Sequence, residues 1–228
     1  MSVTINMKGN VAQLQLTPLY GLLYNFYAAT DIRGIAPSGW HIPSSSELTT
    51  LQSTIGSNYT ERYLAIREIG LTHWNCNPTG ITNIYGFTAL GSGSRNYETF
   101  AGSKDYCEII STSLDDEPLL GYVYLWIGYE RNIFFQLPSY AGPNNGMSIR
   151  CLMDNPNIWY EGMIISDYDN NTYHTVQIGT QVWLVENLAV THYNNGDIIP
   201  EVTDQSSWAS LSTGALCAYN NDWSEVFK

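Results

Sequence analysis

The sequence predicts an α+β fold: two helices, a small, twisted, mostly antiparallel sheet, and long loops. A helix-start signal at Ser44 is followed by apolar residues at helical spacing. Further on, short apolar runs alternate with Gly and Pro clusters over residues 86–152, the pattern of short strands. The composition, 44% hydrophobic and only 13% charged, is that of a packed, loop-rich chain and not of a disordered one. Its 228 residues allow one large domain or two small ones.

In chain order, residues 1–16 read as an N-terminal arm, in which Val3, Ile5, Val11, Leu14 and Leu16 suit an edge strand or a hairpin about Gly9-Asn10. From Leu19 to Ala29 the aromatics Tyr20, Tyr24, Phe26 and Tyr27 fit a buried strand or a short helix equally, since so short a run has no deciding period. Ser44 and Glu47 form a capping box, Leu48, Leu51 and Ile55 follow, and Gly56 stops the run, so a helix spans about 45–55. A second helix, about 59–69, places Tyr63, Ile66 and Ile69 near one face and stops at Gly70. Strands are expected at Gly86–Leu90, Glu108–Thr112, Tyr122–Ile127, Ile133–Leu137 and Met147–Leu152. Met163–Ser166 and Tyr173–Ile178 flank Asp169-Asn170-Asn171 as a hairpin, and Gln181–Val185 continues as a strand carrying Trp183 in the core.

The formal charge is −12, and nine Lys and Arg are scattered singly. With no basic stripe to neutralise phosphates, neither nucleic acid nor an anionic membrane is an expected partner. No apolar run is long enough to span a bilayer, so membrane insertion is not expected either. The first residues lack the apolar stretch of a secretory signal, which suggests folding in a cytoplasm.

Four separate blocks carry a resemblance. Tyr24-Asn-Phe-Tyr-Ala28, Pro37-Ser-Gly-Trp-His-Ile-Pro43, Gly86-Phe-Thr-Ala-Leu90 and Ser148-Ile-Arg-Cys151 are similar to the later part of a Fibrobacter succinogenes major paralogous domain. The closing run from Asp167 through Val182-Trp-Leu-Val-Glu-Asn-Leu188 resembles that domain's opening. The usual order is thus inverted: residues 19–154 look like the family's C-terminal part and residues 163–222 like its N-terminal part, within a single domain over 17–228. The resemblance implies a C-type-lectin-like fold and little chemistry, the family being typical of bacterial secreted and surface proteins. Three readings of the inversion stand side by side. The chain is a circular permutant whose ends meet, its closing block completes a neighbouring chain, or family limits cut arbitrarily across a longer array.

The four cysteines, Cys76, Cys107, Cys151 and Cys217, permit three full pairings. Many family members have a Cys just before Pro-Ser-Gly-Trp-His, well placed to bond the Cys of the Arg-Cys strand. Here that position is Ala36, so Cys151 lacks that partner, which favours a reducing compartment.

Candidate chemistry is sparse. Asp167, Asp169 and Asn171 imitate the start of a calcium loop, but Thr172 stands where glycine belongs and Ile178 where the bidentate acid belongs, so a turn is the better reading. Glu117-Pro118-Leu119 and Trp74-Asn75-Cys76 do not reproduce the triplets of calcium-dependent sugar binding. His41, His73, His174 and His192 lack zinc-site spacing, and Gly102-Ser-Lys104 lacks the rest of a phosphate loop. No catalytic residue, metal or cofactor is therefore expected. Trp40, His41, Trp183, Asn187 and Arg150, all within the family motifs, are expected to be structural.

A recognition surface is the alternative to catalysis. Tyr97, Tyr122, Tyr124, Trp126, Tyr129 and Tyr140 surround the polar loops Asp115-Asp116-Glu117 and Gly142-Pro-Asn144-Asn145-Gly146, a mixture that suits binding. Strand alternation offers a plainer account, in which half of these aromatics pack inward. The expectation is a non-enzymatic recognition or structural module of a phage virion, as a fibre, decoration or receptor-binding protein. Its partners would be other virion proteins, itself (as a homotrimer, for example) or a host-surface glycan. A secreted or cell-surface adhesion or glycan-binding domain is the second reading, and an enzyme on the same fold a distant third.

Overall fold

The computed structural model describes residues 19–114, 122–128 and 141–227. The arm, residues 1–16, and the strand expected at Ile133–Leu137 lie outside these residues.

The ambiguous aromatic run becomes both of its alternatives. Strand β1 (Leu23–Tyr24) gives way at Asn25 to the single-turn helix α1 (Phe26–Ala29), because the Asn25 carboxamide accepts the Ala28 N–H at 2.9 Å and satisfies a first-turn donor. After β2 (Trp40–His41), helix α2 (Ser45–Ile55) starts at the expected capping box and buries Leu48, Leu51 and Ile55. Helix α3 (Tyr59–Ile66) is capped by Asn58 and ends short of the expected residue 69. Arg67 leaves the helix in extended conformation, bridges Ala89, stacks its guanidinium 4.4 Å over Trp74 and donates to the Cys76 carbonyl. Ile69, beyond this exit, is exposed rather than on a helix face.

Three sheets follow. The first pairs β1 with β11 (Leu216–Cys217). The four-stranded sheet joins β3 (Ser92–Arg95), β4 (Phe100–Ser103), β5 (Tyr106–Leu114) and β6 (Tyr122–Gly128) in the order β4-β3-β5-β6. The five-stranded sheet has the order β2-β7-β10-β9-β8, with β7 at Leu152–Met153, β8 at Ile164–Ser166, β9 at Thr172–Ile178 and β10 at Gln181–Leu184. Pairing is antiparallel except between β3 and β5. A short helix, α4 (Gln205–Ala209), is capped by Asp204. The architecture is α+β, as expected.

Two expected strands are corrected. Gly86–Leu90 makes only the Ala89 bridge, because Gly86 and Thr88 have positive φ and the Phe87 and Thr88 carbonyls turn toward the Arg150 guanidinium instead of a neighbouring strand. Met147–Leu152 is mostly isolated bridges, Met147 to Tyr24 and Ser148 to Ile109, with regular pairing only from Leu152. The hairpin at 167–171 forms as read. The Asp167 carboxylate accepts the Asp169 and Asn171 N–H groups, the Asn171 amide and the Tyr173 hydroxyl, so its oxygens are committed to the turn.

The closing block enters both large cores. Val182, Leu184, Leu188 and Tyr193 join Tyr24, Trp40 and Ile149 in one cluster, while Ile178 and Trp183 join Leu48, Leu51, Ile66 and Phe87 against the helices. Trp183 is fully buried, edge-on to Phe87 at 5.8 Å. Arg150 donates to the Asn187 side chain at 2.8 Å, and Asn187 donates to the Tyr20 carbonyl at 2.8 Å, so these two side chains tie the closing block to the opening one. At the end of the chain Leu19 donates to the Val226 carbonyl at 2.8 Å and Tyr20 to that of Glu225 at 3.3 Å.

Candidate functional site

A cleft of about 190 Å³ opens along this meeting of chain ends. Three distant segments line it: Tyr20 and Gly21 just before β1, Ser92 of β3 with Ser103 and Lys104 at the end of β4, and Tyr219, Asn220, Asp222, Glu225 and Val226 near the end of the chain. Gly21 (φ 71°) permits the closure, since a Cβ there would lie 2.6 Å from the Leu188 carbonyl oxygen. Gly91 similarly lets the β4–β5 turn approach, as its Cβ would lie 2.7 Å from the Lys104 Cα.

Lys104 and Asn220 hold left-handed backbone at the cleft, with φ of 63° and 51°. Such conformations in non-glycine residues persist where the surroundings fix them, often at binding sites. Lys104 is fixed by its N–H to the Gly91 carbonyl (2.7 Å) and its carbonyl to the Asn75 N–H (2.8 Å). Tyr219 is held by the Ser103 N–H, which donates to its hydroxyl, and by Phe100, whose ring centroid is 5.3 Å away. The Asp222 carboxylate accepts the Ser224 N–H, and that hydrogen bonding lowers its pKa. Tyr20 stands edge-on to His73 at 5.2 Å; burial, then the Glu225 and Glu68 carboxylates, push its phenol far up in pKa, so it stays neutral. The cleft thus presents an ammonium, two carboxylates, an amide and two phenols, a set suited to holding a small polar ligand by hydrogen bonds.

The four histidines each lie against a carboxylate. His41 is the most tightly clamped, Nδ1 to Asp154 at 2.5 Å and Nε2 to Glu47 at 2.9 Å. Burial lowers its pKa, but the hydrogen bonds to Asp154 and Glu47 outweigh that and leave it raised, which favours the imidazolium that two N–H donations require. His73 meets Glu68 at 2.7 Å, His174 meets Glu186 at 2.7 Å and His192 meets Asp169 at 2.6 Å. His41 therefore joins β2, the first turn of α2 and the residue after β7.

The recognition surface expected from sequence is partly dispersed. Tyr97 is exposed in the β3–β4 turn, and Asn144 and Asn145 lie in the loop before Gly146. The structure brings these two loops together: Arg95 and Gly146 exchange backbone hydrogen bonds, and both loops are anchored to α4, through Gln205 to the Asn96 carbonyl and through Asn144 to the Ala209 carbonyl. Tyr124 is buried in the main core, and with Leu125 and Ile127 buried on the other side both faces of this stretch of β6 pack inward. Trp126 is partly buried and Tyr122 lies in β6. Asp115, Asp116, Glu117, Tyr129 and Tyr140 lie outside the described residues. The cleft residues Tyr20, Lys104, Tyr219 and Glu225 were missed, since nothing in the local sequence signals that their three segments meet.

The cysteines are free: Cys107, Cys151 and Cys217 are buried and Cys76 is half-buried. Among the described residues, no group of three or more His, Cys, Asp or Glu is arranged to hold a metal ion, and no helix is long and apolar enough to cross a membrane.

The class the structure defines is an α+β domain with Trp40, Arg150 and Cys151 buried and His41 half-exposed beside them. The family model of the Fibrobacter succinogenes major domain matches residues 5–153, well over half of the chain, and the chain belongs to this family. The match takes in most of the segment read as an arm, and the closing block lies outside it. No curated protein and no solved structure matches the chain.

Proposed function

We propose that the chain is a non-enzymatic recognition module, carried on a phage virion, that binds a host-surface ligand or another virion protein. The observation that carries the recognition reading is the cleft, where segments near both ends of the described chain converge side chains suited to holding a ligand by hydrogen bonds. The histidines, the usual proton carriers near neutral pH, are drawn into carboxylate pairs that brace the fold. The virion reading adds the buried free thiols, which suit maturation in a reducing cytoplasm.

The same reading takes the chain as one C-type-lectin-like domain in cyclically shifted order. The Leu19–Val226 hydrogen bond and the β1–β11 pair support it, because they place the two ends of the described chain beside each other.

The test is immunogold labelling and peptide mass spectrometry of banded phage particles from the source cells. Labelled particles, with the chain co-sedimenting, are expected. Recovery of the chain only from the cell envelope or the culture medium would replace the virion with the adhesion reading.

A further inference from the structure

Tyr20 is the group in the cleft that most needs a ligand. It lines the cleft and is only 7% exposed, yet among the described residues its hydroxyl has no hydrogen-bond partner. Buried hydroxyls nearly always have one, so an unpaired phenol in the wall of a cavity marks a contact left for a bound molecule. The His73 ring packs edge-on against Tyr20 at 5.2 Å, and the Tyr20 N–H donates to the Glu225 carbonyl at 3.3 Å, so the residue is pinned in place. Burial, then the Glu225 carboxylate, keep the phenol protonated, leaving it a proton to give and an oxygen to accept with.

The charged groups of the cleft are open as well. Among the described residues, Lys104, Asp222 and Glu225 take part in no ion pair, although all three line the same space. Asp222 accepts the Ser224 N–H through one oxygen, and both carboxylate residues are exposed to solvent. Lys104 follows β4, where the Gly91 carbonyl holds its left-handed backbone. One residue before it, the Ser103 N–H donates to the Tyr219 hydroxyl at 3.3 Å, which leaves that phenol its own proton to donate.

These groups form two poles. Lys104 and the Tyr219 O–H donate to an anion, whereas Asp222, Glu225 and the Tyr20 oxygen accept from a cation. A purely anionic ligand would meet two carboxylates and a purely cationic one would meet the ammonium, repulsions that water screens little in a partly enclosed site. A neutral ligand would strip water from three charges and pair none of them. A molecule with both signs a few atoms apart answers every group. At about 190 Å³ the cleft is smaller than the roughly 300–1,000 Å³ of pockets for drug-sized ligands, so it takes one residue-sized group and not a polymer segment.

We propose that the cleft binds an α-amino acid group, with its carboxylate on Lys104 and Tyr219 and its ammonium on Glu225, Asp222 and the Tyr20 hydroxyl. This rests on the reading of the cleft as a recognition site and names its ligand class. Free amino acids offer such a group, and so do cell-wall peptides in which one end of a diaminopimelate is unlinked.

The test is titration of the full chain, followed through its amide NMR shifts, with free amino acids and with muropeptides carrying an unlinked diaminopimelate end. At least one probe should saturate a single site at the cleft, and binding by muropeptides alone would assign the site to the host wall. Forms of that probe with the amino group acetylated or the carboxylate amidated should each bind about tenfold more weakly, the scale of one lost charged hydrogen bond. Lys104→Met should weaken the intact probe about tenfold but leave the amidated form unaffected, and Glu225→Gln should do the same with respect to the acetylated form. Tyr20→Phe should also weaken binding, while the unliganded variant melts no lower than the natural protein, because the hydroxyl it loses has no partner there. Binding by no probe, or binding that these three variants leave unchanged, would overturn the proposal. If the variants then still abolish attachment to host cells, the cleft remains a recognition site for another ligand; if attachment survives them, that reading of the cleft falls too.

Discussion

The opening block, residues 19–154, and the closing block, from residue 163 to Val226, are built on different kinds of signal. The opening block holds both long helices, each started by a cap within its own few residues, at Ser44 and at Asn58. The closing block has only the short helix α4 and contributes strands whose value lies in what they meet. β10 lies between β7 of the opening block and β9 of its own, and Trp183 sits among helix residues far away in sequence. The helices of the opening block start on local signals, and the closing block supplies strands that extend its sheet and fill its cores.

The largest test of this division is Trp183→Ala. Loss of a fully buried indole at the junction of the blocks should cost about 3–5 kcal/mol in chemical denaturation. A cost below about 1 kcal/mol would mean that the closing block does not anchor in the helix-side core. Next comes Arg150→Ala, which abandons the Asn187 side chain and the Phe87 and Thr88 carbonyls inside the protein. A loss of about 3 kcal/mol is expected from these unsatisfied groups, and the Asn187→Ala variant should not add its full cost on top, because the two share one network.

Ser44→Ala touches only the opening block. It removes a cap hydrogen bond and should cost about 1 kcal/mol, with no effect on how the closing block docks. The smallest effect is the pH dependence of the His41 clamp. Its folded pKa is raised, so its contribution is fully present below the unfolded value of about 6.5 and is lost as pH rises through the higher folded value. Melting temperatures scanned upward from pH 6 should fall more in the natural protein than in His41→Ala. Equal slopes would show that Asp154 and Glu47 do not hold the imidazolium.

How much is legible in the sequence depends on whether an element's signal is local, in either block. Helix α2 was legible to the residue because Ser44 and Glu47 announce it and Gly56 closes it. The end of α3 was not, because its exit depends on Arg67 reaching Trp74 and Cys76, contacts made only after folding. Gly86–Leu90 looked like a strand by composition, yet its carbonyls serve Arg150, more than sixty positions later. β3 and β4 were overlooked since Ser92-Gly-Ser-Arg95 and Phe100-Ala-Gly-Ser103 show no apolar alternation. Of the candidate surface, Trp126 was visible as an aromatic, but its packing against the main core follows only from strand register. The cleft, assembled from residues 20–21, the turn after β4 and residues near Val226, has no local signature in the sequence.

The central claim is that the closing block completes the fold of its own chain, and the cleft provides its most direct measurement. Lys104 lines it from the opening block, Asp222 and Glu225 from the closing block. Chains labelled with light and with heavy nitrogen, refolded together in equal amounts and coupled by a zero-length amine–carboxylate reagent, should yield cross-linked peptides from Lys104 to Asp222 or Glu225. Every such pair should be wholly light or wholly heavy. Mixed pairs as frequent as pure ones would contradict the account, because each cleft would then be closed by a neighbour's end.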